Sequence, residues 1–406
     1  MGGVDLEAFR WLLTGPGQRL LERAATVYDE HAGDPVRAAT ALRAPGVEAA
    51  HAAAALTQVA LRRRAVAKLG DDARRMYLTP EGLEQATRTP VARHRAARVA
   101  AAAPSSVLDL GCGIGGDLVE LARAGLTAAG VDRDELRVEV ARANLAALGL
   151  GGAVQVADAA DVDVSGFGVV FADPARRTGR GRVFDVDGWS PPWGFVLALL
   201  QRAACVKVAP GLPHALVPDG VEAEWVSDGG EVKEAALWSP VLATVRRRAT
   251  VIRGGGLATL TDEDPSSTDV LPVGRFLHEP DGAVIRAGLV GAVAAGVGGG
   301  LLDEHIAYVT SEQAFVTPYA RSYEVLEELP YREKALRAAL RERDVGRLTI
   351  KKRGVDVVPD QLRKRLAAGG GLAGSAEATL VLTRAAGRGT ALLVRPLERD
   401  PTHLHD

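Results

Sequence analysis

The sequence predicts an α/β protein, with a helical region before its central sheet and a smaller α+β domain after it. Three observations carry this prediction. The run Val-Leu-Asp-Leu-Gly-Cys-Gly-Ile-Gly-Gly-Asp at 107–117 ends a short apolar strand in an acid and a glycine-rich turn, and 118–122 continues at helical spacing. Further apolar runs follow, and Asp109, Asp132, Asp158 and Asp173 each stand at the end of one. Outside this part the pattern changes. Residues before about 85 show helical spacing alone, and a polar, breaker-rich stretch at 261–268 precedes mixed strands and helices.

Length and composition set the limits. A chain of 406 residues can hold two or three domains with a sizeable core. The net charge of −2 gives no overall pull toward nucleic acid or membrane, so such affinity must come from local patches. Cys112 and Cys205 are the only cysteines, too few for a disulfide framework or a cysteine-rich metal site. No apolar run approaches the roughly 20 residues of a membrane span, and the first residues do not read as a secretion signal. The expectation is a reduced, cytoplasmic chain with no membrane segment and no metal.

From the start, helices are expected at 5–13, 17–31 and 46–68, and His51 reads as a packed helix residue. Arg62-Arg63-Arg64 reads as the cation-rich end of the third helix. Thr79-Pro80-Glu81 and Thr89-Pro90 are N-cap-plus-proline starts. The second opens a helix to 103 bearing Arg93, His94, Arg95 and Arg98, a basic face that is either solvated or in contact with nucleic acid.

In the glycine turn, Gly111, Gly113 and Gly116 satisfy G-x-G-x-x-G, a weak signal alone. Glycines let the backbone approach a ligand closely, and the following helix offers free N–H groups. Asp109, two residues before the first glycine, suits an amine-bearing ligand better than a pyrophosphate. A strand at 126–131 ends in Asp132, 23 residues after Asp109, about where a ribose-binding acid stands. A helix at 135–148 closes on Gly149. The strands 153–157 and 167–172 lead into Asp158-Ala159 and Asp173-Pro174-Ala175-Arg176-Arg177. Residues 205–211 read as a fifth strand and its turn, and 237–252 as closing strands with Arg246-Arg247-Arg248 on a solvated edge. Cys112 and Cys205 read as small buried fillers.

Beyond the linker, strands are expected at 276–278, 306–310, 322–329, 347–352, 379–384 and 390–395, with helices at 284–297, 334–343 and 359–367. Between Arg341 and Arg365 nine Lys/Arg face four Asp/Glu, a local +5. That excess fits a solvated face or an RNA surface.

Residues 105 to about 250 resemble a class I S-adenosylmethionine (SAM)-dependent methyltransferase with a Rossmann-like sheet, the four acids falling on its four motifs. The run Thr-Pro-Glu-Gly-Leu-Glu-Gln-Ala-Thr-Arg at 79–88, Asp-Pro-Ala-Arg-Arg at 173–177 and the C-terminal segment resemble a bacterial group of such enzymes with a THUMP-like domain, a module associated with RNA modification. The resemblance implies SAM as cofactor, held by Asp109, Gly111, Gly113 and Gly115, by Asp132 and Arg133 at the ribose, and by Asp158 and Ala159 at the adenine. It implies a methyltransferase but not the substrate; Asp173 and Pro174, acceptors at the end of the fourth strand, suit the N–H bonds of an exocyclic base amine, and the basic segment in an appended domain makes RNA the expected partner. Arg176, Arg177, Trp193, Lys351, Lys352 and Arg353 are the candidate substrate contacts. The expected division is a helical region at 1–88, the methyltransferase domain at 89–255, a linker at 256–272 and the THUMP-like α+β domain at 273–400.

One departure stands out. Amino-group methyltransferases of nucleobases usually follow Asp-Pro with a proline and an aromatic, but Ala175 and Arg176 occupy those places. Trp189-Ser190-Pro191-Pro192-Trp193 resembles that motif but lies 31 residues after Asp158, too far along, and reads as the entry to a helix at 195–202. Trp189 or Trp193 either supplies the missing stacking ring or simply packs. Two other classes remain open: a small-molecule methyltransferase, and a non-catalytic SAM- or nucleotide-binding protein or NAD-dependent oxidoreductase. Against the last, no Tyr-x-x-x-Lys pair follows the glycine turn.

Overall fold

The computed structural model describes residues 5–42, 47–176, 189–190, 192–369 and 371–397, which form two compact units. The first comprises 1–221 and 236–243, the second 222–235 and 244 onward.

The first unit opens with helices α1 (Leu6–Leu12), α2 (Gly15–Glu30), α3 (Pro35–Leu42) and α4 (Ala49–Leu69). Asp5 and Thr14 cap the first two by accepting from Ala8 N and Gly17 N, satisfying donors that have no partner within the helix. α3 was not expected from the sequence. α4 continues past Arg62-Arg63-Arg64 to Leu69, where Gly70 at φ 66° ends it, so the arginines are not a helix terminus. A chain at 76–79 follows, held by two buried amides. Gln58 pairs with both N–H and C=O of Leu78 at 2.9 and 2.8 Å, and Asn144 does the same for Tyr77. Then come α5 (Pro80–Gln85), capped by Thr79, and α6 (Thr89–Ala101), which begins at Thr89 with Arg88 as its N-cap.

The parallel sheet consists of β1 (Val107–Leu110), β2 (Ala128–Asp132), β3 (Ala153–Val156), β4 (Val169–Ala172) and, after two short strands and a helix, β7 (Ala204–Val208). The intervening pieces are α7 (Gly116–Arg123), α8 (Glu135–Leu148), β5 (Ala175–Arg176), β6 (Trp189–Ser190) and α9 (Trp193–Leu199). The order is β7-β4-β1-β2-β3, with residues 236–239 along the far side of β7, where Ser239 N donates to Ala204 O. All four residues of β1 and of β4 are buried, as strands covered by helices on both faces must be. The order reverses at β1, so β1 and β4 leave a crevice beyond their carboxyl ends.

The second unit begins with β8 (Glu222–Asp228) and most of β9 (Glu231–Trp238), then β10 (Arg247–Arg253) and β11 (Gly256–Thr261), in the order β11-β10-β8-β9. β8 was not expected, and β11 occupies the first part of the stretch anticipated as linker. Of Arg246-Arg247-Arg248, expected on a solvated edge, Arg246 is exposed, but β10 is flanked by β11 and β8, and Arg248 Nε donates to the buried carboxylate of Glu222 at 2.7 Å. There follow β12 (Phe276–Pro280), α10 (Gly282–Ala287), α11 (Val290–Gly296), β13 (Gly300–Asp303), β14 (Ile306–Ser311) and β15 (Ala320–Leu329). The chain closes with α12 (Glu333–Glu342), β16 (Val345–Lys352), α13 (Pro359–Ala367), β17 (Ala376–Ala385) and β18 (Arg388–Pro396). The seven strands from β12 on form one sheet in the order β13-β14-β12-β15-β18-β17-β16. Leu336 and Leu340 of α12 and Leu362 and Leu366 of α13 pack with its strand residues in one core.

Candidate active site

The glycine turn is tied down before any ligand is considered. Gly111 N and Cys112 N both donate to Val131 O, and Gly113 N donates to Asp132 Oδ2 at 3.0 Å. Gly111, Gly113 and Gly115 have φ of 83°, 56° and 82°, a region that side chains other than glycine enter at a cost. A Cβ on Gly115 would stand 3.2 Å from the Cβ of Ala141 on α8, a tight contact that adds to the backbone's preference for glycine there. Asn144 Nδ2 donates to Ile114 O at 2.8 Å, anchoring the turn to α8.

Asp109 lies under this turn, 1% exposed, and neither carboxylate oxygen has a hydrogen-bond partner among the described residues. Burial, then the neighbouring carboxylates of Asp117 and Asp173, raise its pKa well above the ordinary value; Asp132 adds to the rise and Arg95 opposes it. An anionic group buried without a partner is costly. Such a site calls for a cation.

Asp132 at the end of β2 is also buried, but its oxygens already accept from Gly113 N and Asp134 N. Arg133 beside it is exposed. At the end of β3, Asp158 is exposed and accepts from Ala160 N at 3.0 Å; Ala159 is half-buried. Val156, in register with Asp132, is 46% exposed.

At the end of β4, Asp173 Oδ2 bonds the ammonium of Lys207 on β7 at 2.6 Å. Lys207 also donates to Thr87 Oγ1, which donates to Asp117 Oδ2 on α7 at 2.7 Å, and Asp117 is paired with Arg95. This chain links β4, β7, α6 and α7 beneath the crevice. The basic face expected on α6 is divided: Arg95 is buried over Phe171, Arg98 is half-buried over Trp238, and Arg93 is exposed and pairs with Glu120. Thr87, Asp117 and Lys207 escaped the sequence reading. The available signal was Lys207 itself, a lone charge inside an apolar strand.

β5 pairs with β6, placing Ala175 opposite Ser190 and Arg176 opposite Trp189, so Trp189-Ser190 runs alongside the two residues that follow Asp173-Pro174. Trp193 is the half-buried first residue of α9. Arg177 lies outside the described residues. In the second unit, Lys351 bonds Glu279 at 2.5 Å, Lys352 is exposed, and Arg353 lies over the Tyr308 ring. Burial pushes the Cys112 thiol well above its usual range, which agrees with a filler and not a nucleophile. Among the described residues no cluster of His, Cys, Asp and Glu could hold a metal ion, and no helix is long and apolar enough to cross a membrane.

Residues 107–176 match the family described as Methyltransferase domain, 320–396 that described as THUMP domain-like, and 5–65 a domain of unknown function, DUF8688. Two proteins described as uncharacterised SAM-dependent methyltransferases, from Mycobacterium tuberculosis strains CDC 1551 / Oshkosh and H37Rv, are each 40% identical over 336 residues, 80% of this chain and 90% of theirs. The chain belongs to the SAM-dependent methyltransferases. SAM is therefore the cofactor of this methyltransferase, and its C-terminal domain is THUMP-like. Its fold is also that of a candidate methyltransferase from Porphyromonas gingivalis W83 known by crystal structure. The two share a TM-score of 0.73 at 22% identity over 94% of this chain and 99% of the other.

Proposed function

We propose that this methyltransferase modifies an exocyclic amine of a base in RNA, rRNA or tRNA, in the cytoplasm, using Asp173 and Pro174 as acceptors. The observation that carries the reading is the half-used carboxylate of Asp173. Lys207 fixes Oδ2, and no described residue is bonded to Oδ1, next to the turn where the cofactor belongs. SAM, when bound, supplies an activated methyl group. What the chain must add is alignment of a nitrogen lone pair. An exocyclic amine has that pair delocalised into the ring. Asp173 Oδ1 and the Pro174 carbonyl, by accepting its two N–H bonds, would draw the nitrogen toward tetrahedral geometry and free the pair. A base within a helix would have to be flipped out to reach them.

The cofactor fits the residues on the same grounds. The partnerless carboxylate of Asp109 would take the ammonium of the methionine moiety. Gly111, Gly113 and Gly115 leave room for its chain, and Asp132, with Arg133 beside it, has acceptor capacity left for the ribose hydroxyls. Asp158 and Ala159 would meet the adenine amino group, and exposed Val156 would carry its ring. Arg176 and Arg177 would hold a flanking phosphate, with Trp193 near the base.

RNA as substrate is supported by the THUMP-like domain and by the basic segment 341–365. Part of that excess is internally paired: Arg343, Arg347, Lys351, Arg363 and Arg365 all form ion pairs. Lys352 and Lys364 are exposed, so they are better phosphate contacts than Lys351. The test compares modified nucleosides of rRNA and tRNA from a deletion strain and its parent by mass spectrometry, then restores either the wild type or Asp173→Ala. One methylated base should vanish, return with the wild type and stay absent with the variant, whose SAM affinity should remain within a few-fold. An unchanged nucleoside profile, or loss of a carbon- or 2′-oxygen-methylated product, overturns the proposal.

A further inference from the structure

The first unit also holds a cavity of about 530 Å³, bounded by α2, α4, the turn at 70–75 and the end of α8. Leu21, Ala25, Val59 and Val66 give it an apolar floor. Arg62, Arg63, Arg74 and Arg75 line it as well, against a single acid, Glu22. Two of the arginines are neutralised nearby, Arg63 by Asp29 and Arg74 by Asp71. The other two are not: Arg62 donates to Met76 O at 2.7 Å and to Arg75 O at 3.2 Å, and Arg75 donates to Ala147 O. Arg62 also lies over the Tyr77 ring, 4.9 Å from its centroid, and among the described residues neither arginine is paired with a carboxylate, so two positive charges line the cavity without one. Arg62 is held there although burial lowers its pKa from the ordinary value. Nor is it a helix-end charge, since α4 runs on to Leu69.

We propose that this cavity is a nucleoside-phosphate site, with the phosphate among the arginines and the base on the apolar floor. Guanidinium groups match phosphate oxygens two at a time, and the size is that of a small-molecule pocket. A flat base on a hydrophobic floor with a charged phosphate at the rim uses both halves of the lining. The proposal deepens the RNA reading, since a nucleotide of the RNA chain is one source of this chemistry; a free nucleotide is the other.

The probes are a fluorescein-labelled single-stranded RNA oligonucleotide, read by anisotropy, and adenosine monophosphate as competitor. Arg62→Gln with Arg75→Gln should weaken oligonucleotide binding about tenfold and flatten the log–log salt dependence by roughly 1.4, two phosphate contacts' worth. Ala25→Trp, which fills the floor, should weaken both probes. SAM affinity by calorimetry should be unchanged in all variants, which certifies the fold. Displacement by the mononucleotide at concentrations near its own affinity assigns the site to free nucleotides. An oligonucleotide that binds far more tightly than the mononucleotide assigns it to RNA. Wild-type affinities and salt slope in both variants, or no binding of either probe to the wild type, overturn the site. RNA methylation by a chain whose cavity binds neither probe removes this site and leaves the RNA reading intact. Nucleotide binding without RNA methylation does the reverse.

Discussion

Asp109 is where burial and chemistry conflict most openly. Its pKa is raised in the folded chain, so the folded state keeps a proton that the unfolded state gives up in the ordinary carboxyl range near ~4. Its contribution to stability of the unliganded protein is thus full below that range and is lost as pH rises through the folded pKa. An ammonium ligand needs the ionised form, so SAM should bind more tightly as pH rises across the same window, releasing up to one proton. Calorimetry in two buffers of different ionisation enthalpy checks this. An affinity that is flat with pH and a buffer-independent heat would sink it. The positions of Asp109, within β1, and of Asp132, Asp158 and Asp173, at or just past the ends of β2, β3 and β4, were legible in the sequence because the local strand pattern marks them. Lys207, Thr87 and Asp117 were not legible, because their meaning lies in contacts such as Lys207 Nζ to Asp173 Oδ2 at 2.6 Å, between residues 34 apart in the chain.

Among elements, those with a local signature were easiest to foresee. The helix at 135–148 has Asp134 as its cap and Gly149 at φ 71° as its stop, and both are visible in the sequence. β8 was hidden because Glu222 and Glu224, polar in the sequence, are buried and matched by Arg248 and Thr250. A strand that buries carboxylates reads as a loop until its partners are known. Arg62-Arg63-Arg64 misled for the opposite reason, since an arginine cluster suits a helix end but can also line a cavity in mid-helix. Besides β2, the element that anchors the glycine turn is α8, through Asn144. Asn144→Ala would leave Tyr77 N–H, Tyr77 O and Ile114 O without their buried partner, at a cost on the order of 3 kcal/mol. It should also weaken SAM binding, because Ile114 lies inside the turn. Denaturant unfolding and calorimetry on the same variant read both effects, and a variant with wild-type stability and affinity would show that α8 does not hold the turn.

At the scale of the whole molecule, this reading puts the cofactor and the target base in the first unit and adds phosphate contacts from the second. The proposed cofactor residues all lie in 109–159, whereas the exposed cations Lys352 and Lys364 lie in the second unit. If the second unit recruits RNA through phosphates, changing those charges should alter capture and leave the chemistry alone. Lys352→Glu with Lys364→Glu should raise KM for RNA at nearly constant kcat and leave SAM affinity unchanged. It should also reduce the salt slope of binding by about 1.4, two phosphate contacts on a single strand. Lys351→Ala serves as the contrast: it breaks the pair with Glu279, so its main effect should be on stability, with little change in salt slope. Steady-state methyl transfer to the RNA found by mass spectrometry, measured across a salt series, separates these outcomes. If KM and salt slope for the double variant match the wild type while Lys351→Ala changes both, the contact lies at the Glu279 pair. If neither variant shifts them, the second unit does not bind RNA through these cations.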